Sequence, residues 1–141
     1  KIQPKAREIF KDMPVDVKVR LGVIDSNIES TFTLKKPTFE EVFLTENKVG
    51  QRGNLAYGLY FKYNGDIKEA NRFANSIYEM TDYIKNMGVS LKDISVNIYL
   101  SKGGKLVSKG YCNSNKLASI DELKSCIDTT KNTPVEEGDR W

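Results

Sequence analysis

The chain has 141 residues, 39% of them hydrophobic and 29% charged, with 22 basic and 19 acidic side chains and a net charge of +3. Those values fit one globular domain able to bury its own core. No apolar run approaches the roughly 20 residues that a membrane-spanning helix needs, and no dense basic block marks a nucleic-acid arm, since the longest contiguous run of positive charge is Lys35-Lys36.

Pro4 suits the first turn of a helix. Ala6, Ile9, Phe10 and Met13 give that helix a short apolar stripe, and Pro14 ends it. Val15, Val17, Val19, Leu21 and Val23 then alternate with Asp16, Lys18, Arg20 and Gly22, which predicts a strand. Asp25-Ser26-Asn27 reads as a turn. Ile28, Ser30, Phe32 and Leu34 alternate in their turn with Glu29, Thr31 and Thr33, which predicts a hairpin partner with one polar face.

The stretch 37–53 is mixed. Thr38 with Glu41 fits a capping box over one or two helical turns, whereas 41–46 also fits a short strand. Residues Asn47–Asn54 read as a polar loop carrying Lys48 and Arg52, and so as a candidate binding loop.

The centre of the chain is clearer. Leu55, Tyr57, Leu59, Phe61 and Tyr63 share one face of a strand, with Ala56, Gly58, Tyr60 and Lys62 on the other. Asn64-Gly65 supplies a turn. Asp66 and Glu69 then resemble a capping box for a long helix, Asp66–Met87. Its inward stripe is Ile67, Ala70, Phe73, Ala74, Ile77, Met80, Ile84 and Met87. Gly88 can close it in a left-handed conformation. Ile94 to Leu100 and Leu106 to Cys112 read as two strands joined by a tight Gly103-Gly104 hairpin.

Ser119 and Glu122 make a second capping box, opening a short helix with Ile120, Leu123, Cys126 and Ile127 on one side. Ala118 and Leu123 are placed for a hydrophobic staple. Residues 131–141 read as a flexible polar tail ending in Trp141, which is not expected to contribute to a site.

These elements predict an α+β fold: an antiparallel-rich sheet of about five strands, the long helix packed on one face, and short terminal helices. Residues 1–130 form the single domain and 131–141 the tail. The order strand, helix, strand through residues 55–100 implies a crossover connection.

The chemistry is narrower. With no histidine, these residues cannot supply Ser-His-Asp or Cys-His catalysis, nor histidine zinc ligands. Neither glycine pair has the spacing of a phosphate loop, and no cofactor or metal is expected. Carboxylate catalysis survives only as an alternative, because Glu40-Glu41 and Glu136-Glu137 are sequence neighbours that diverge in direction.

Tyrosine is the more informative residue type. Tyr60, Tyr99 and Tyr111 fall on strand faces away from the long helix, with Lys62, Lys105 and Lys109 nearby. Together with Lys48 and Arg52 they are the candidate binding residues. The basic, glycine and aromatic pattern of an RNA-recognition strand is not met around Tyr57-Gly58, so nucleic acid is not the expected partner.

Cys112 and Cys126 are candidates for a disulfide between the second hairpin and the last helix. With a first residue other than methionine, they point to an extracytoplasmic setting, secreted or anchored through a segment ahead of Lys1. A cytoplasmic setting is the alternative. The expectation is a non-catalytic interaction domain, the soluble part of a surface lipoprotein or a secreted protein, with an unidentified protein partner. A small-ligand carrier or sensor with a pocket between helix and sheet is the alternative, and a carboxylate-dependent enzyme the second alternative.

Overall fold

The computed structural model describes residues 2–23, 29–34 and 55–141, with side chains over 4–20 and 57–141. The turn expected at Asp25–Asn27, the mixed stretch 37–53, and the candidate residues Lys48 and Arg52 lie outside the described residues. The fold is α+β. A mixed sheet contains β1 (Val15–Val23), β2 (Glu29–Leu34), β3 (Leu55–Asn64), β4 (Ile94–Lys102) and β5 (Lys105–Cys112). The strand order is β2-β1-β3-β4-β5.

Both hairpins are antiparallel, β1 against β2 and β4 against β5, and β1 also pairs antiparallel with β3. The one parallel pairing among the described strands, β3 with β4, sets Tyr57 beside Ile94 and Lys62 beside Tyr99. It is reached by the expected crossover through α2 (Ala70–Lys85).

Period-two alternation sends Val15, Val17 and Val19 of β1, Tyr57, Leu59, Phe61 and Tyr63 of β3, and Ile94, Val96, Ile98 and Leu100 of β4 into the core. Three helices among the described residues cover that inner face: α1 (Ile2–Ile9), α2 and α3 (Ile120–Lys131). Phe10, just past α1, stacks 5.1 Å from Phe61, ring centre to ring centre. Phe73 of α2 stands 6.1 Å from Phe61 and 5.1 Å from Tyr63 in edge contacts. Such aromatic pairs add about 0.5–1.5 kcal/mol each beyond the area they bury.

The long helix is shorter than the expected Asp66–Met87. It begins at Ala70, after Glu69, which makes no side-chain cap. The Asp66 carboxylate is turned instead to Lys102 at 2.7 Å, an ion pair between the helix approach and the end of β4. Ile67 is buried nonetheless, so the approach to the helix still belongs to the core. At the other end Met87 is exposed and Gly88 takes φ +99, as the left-handed stop requires. Ser119 caps α3 by accepting from the Glu122 N–H at 3.1 Å. Ala118 is exposed and Leu123 is fully buried.

The hairpin joining β4 and β5 turns on Gly103 and Gly104, both at positive φ, +59 and +82. A register shift falls between Leu100 and Ser101. Of residues 131–141, expected as a flexible polar tail, Lys131 still belongs to α3 and residues 133–135 run along β5: the Lys109 N–H donates to the Thr133 carbonyl at 3.0 Å and the Val135 N–H to the Val107 carbonyl at 3.2 Å.

Candidate functional site

The candidate site is the outer face of the sheet, on the side away from the three helices. Strand parity builds it. Register sets Lys18 opposite Tyr60, Tyr60 beside Asn97, and Asn97 opposite Tyr111. The next row runs Asp16, Lys62, Tyr99 and Lys109 across the same strands. Gly58 leaves room for the Tyr60 ring to lie along the sheet, since a Cβ there would sit 3.2 Å from a Tyr60 ring carbon. Tyr111 stands out from the edge strand, 59% exposed.

The face thus gathers Tyr60, Tyr99 and Tyr111 with Lys62 and Lys109, five of the residues singled out in the sequence. Lys105 is apart from them: it lies at the hairpin tip opposite Lys102, four residues along β5 from the Lys109 that faces Tyr99.

Sequence reasoning missed Trp141. Its ring lies 6.2 Å from the Tyr99 ring at 76°, an edge contact, with the Lys18 ammonium 4.8 Å and the Lys62 ammonium 5.4 Å from its centre. Both distances are within the reach of a cation–π attraction. The approach to Trp141 is built locally. The Glu136 N–H donates to Asp139 Oδ2 at 2.6 Å and the Asp139 N–H to the Glu136 carbonyl at 3.1 Å, closing a four-residue turn. Gly138 holds that turn at φ +92, a conformation few other residues take.

Asp139 then reaches Lys109 Nζ at 2.8 Å. The hydrogen bond from Lys109, with that from the Glu136 N–H, holds the Asp139 carboxyl below its usual range, and the same bond raises Lys109. Burial, with Tyr60 and Asp139 nearby, pushes the Tyr99 hydroxyl upward, so it stays a neutral donor. Asp16 is paired with Lys62 at 3.3 Å.

Between α2 and the sheet, where a ligand pocket is the alternative expectation, Phe61, Phe73, Ile77 and Ile98 are all fully buried. Two clefts lined by described residues lie elsewhere. One, of about 70 Å³, runs along α2 at Tyr78, Thr81 and Lys85 and meets Leu117. The other is a wide opening at the start of α2, lined by Glu69, Arg72 and Lys124. Among the described residues no group of three or more Cys, Asp or Glu side chains is placed to hold a metal ion.

Behind the site, the sulfurs of Cys112 on β5 and Cys126 on α3 are at bonding distance, 1.98 Å, with their Cα atoms 6.1 Å apart. No described helix is long and apolar enough to cross a membrane. Comparison with protein-family models, curated proteins and solved structures gives no match to this chain.

Proposed function

We propose that the chain is a non-catalytic interaction domain that works outside the cytoplasm and binds a protein partner across the outer face of its sheet. The observation that carries this reading is the gathering of Tyr60, Tyr99 and Tyr111 with Lys18, Lys62 and Lys109 on that one face. Tyrosines offer large, stiff contact area with a polar tip, and they contribute much of the binding energy of many protein interfaces. Lysines around them steer an acidic partner and speed its encounter more than they add affinity.

The carboxylates of the face are engaged by lysines, Asp16 by Lys62 and Asp139 by Lys109, which supports binding over acid–base chemistry. The bonding distance between Cys112 and Cys126 supports an oxidising compartment, as for a secreted protein or the soluble part of a surface lipoprotein.

The test compares proteins captured by the wild-type chain and by Tyr111→Asp from an extracytoplasmic fraction. Tyr111 is exposed at the sheet edge, so the substitution places a charge on the face without opening the core. A partner held by the wild type and lost by the variant is the expected result. Identical capture by both sinks the outer face as the binding surface.

A further inference from the structure

The outer face already holds an occupant, and that occupant shows which chemistry the face accepts. Asp139 seats its carboxylate on Lys109, and Trp141, two residues on, places its indole against Tyr99 under the ammonium groups of Lys18 and Lys62. We propose that this face takes an acidic–aromatic peptide segment from its partner, a carboxylate two residues ahead of an aromatic ring, in the seat held by Asp139 and Trp141.

The proposal rests on the outer face being the binding surface and specifies the partner's chemistry. Three features argue for it. The two anchors come from different strands: Lys109 on β5 for the carboxylate, Lys18 and Lys62 on β1 and β3 for the ring. The seat is therefore made by the sheet and not by the segment that fills it. The charges are complementary on balance, since a floor with Lys18, Lys62 and Lys109 against Asp16 meets a stretch with Glu136, Glu137 and Asp139 against Arg140. Finally, the contacts at Asp139 and Trp141 lie at the surface. Beyond the pairing at Thr133 and Val135, the ion pair and the ring contacts hold the resident segment, and each is partly open to water.

A tethered segment competes at an effective concentration in the millimolar range. A partner peptide therefore binds the wild type more weakly than its intrinsic affinity, by the fraction of molecules in which the seat is vacant.

The experiment uses the full chain, isotope-labelled, as wild type and as the double variant Asp139→Ala/Trp141→Ala, with Trp141→Ala alone as a milder form. The probe is a peptide with the sequence of residues 132–141, followed by amide chemical shifts. The expected result is saturable shifts at Lys18, Lys62, Tyr99 and Lys109 in the double variant, with an affinity roughly tenfold or more above the wild type's. Adding Lys109→Glu abolishes binding of this peptide and restores binding of one carrying lysine at the Asp139 position.

Absence of saturable binding to both vacated variants overturns the proposal, as does binding indifferent to Lys109→Glu. Wild-type dimers formed by exchange of residues 132–141 between copies overturn it in favour of a second copy of the chain. Saturation by a single-stranded oligonucleotide, with no response to the peptide, overturns it in favour of nucleic acid. If the peptide fails while Tyr111→Asp still loses its captured partner, only the peptide chemistry falls and the binding face stands.

Discussion

Gly110 on β5 lies against Thr130 on α3, so closely that a Cβ at position 110 would stand 2.8 Å from the Thr130 Cβ, with the Thr130 hydroxyl oxygen nearer still. Thr130 is fully buried and donates its hydroxyl to the Cys126 carbonyl at 2.8 Å, so it cannot swing away cheaply. Two residues along β5, Cys112 meets Cys126, one helical turn before Thr130. Helix and strand are thus drawn together at two successive points. Gly110→Ala is expected to destabilise the fold by about 1–3 kcal/mol through overpacking. Denaturant unfolding checks this, and Gly110→Ala/Thr130→Ala should cost less than the sum of the single changes. An unaltered midpoint for Gly110→Ala contradicts the contact.

The Cys112–Cys126 link closes a stretch with a sequence separation of 14. In the chain-entropy picture, a loop of about 15 residues contributes about 3 kcal/mol when bridged. Natively purified protein should show no reactive thiol, and reductant should lower the unfolding midpoint by an amount matching that figure. Two reactive thiols before any reductant, or coincident unfolding curves, would remove both the bridge and the support it gives to an oxidising compartment.

Phe73 joins α2 to the sheet through Phe61 and Tyr63. Phe73→Ala should cost about 3–5 kcal/mol, the range for deleting a buried aromatic ring. Tyr111→Ala should stay within about 0.5 kcal/mol of the wild type, as for an exposed residue that fills no core space. Comparable losses for the two substitutions would contradict the division between inner and outer faces.

The docking of residues 132–141 should depend on pH, and Trp141, the sole tryptophan in the chain, reports on it directly. The Asp139 carboxyl is held below its ordinary range, first by the Lys109 hydrogen bond. Its contribution is therefore complete above the ordinary aspartate value of about 3.9 and is lost as pH falls through the depressed folded value. Lys109 is raised by the same bond. Its contribution is complete below the ordinary lysine value of about 10.4 and is lost as pH rises through the raised folded value. Trp141 emission should be flat between those limits and move toward the emission of exposed indole in acid. Asp139→Asn should remove the acid transition, and a persistent transition in that variant would place its cause elsewhere.

Much of the fold was legible because its main signals are local. Val15, Val17 and Val19 show their strand face by alternation alone, and Phe73, Ile77 and Ile84 show their helix face by spacing. The helix start was misread because Asp66 has the chemistry of a cap, whereas its carboxylate is drawn to Lys102, a residue 36 positions on. Tyr60, Tyr99 and Tyr111 could be placed on a common face by parity. Trp141 could not: its neighbours Lys18, Lys62 and Tyr99 come from three strands, and nothing periodic between Asn132 and Trp141 announces the contact. The one local clue was Gly138 between Glu137 and Asp139, the composition of a turn that returns the chain on itself.

The hydrogen bonds from Lys109 and Val135 to Thr133 and Val107 have a further effect on β5, which is the last strand in the sheet order. A border strand with vacant main-chain donors and acceptors is a template for stacking between molecules. Residues 133–135 occupy that rim as a selvedge does on cloth. Any partner that lifts them must therefore cover the border itself, or else leave the protein prone to aggregate.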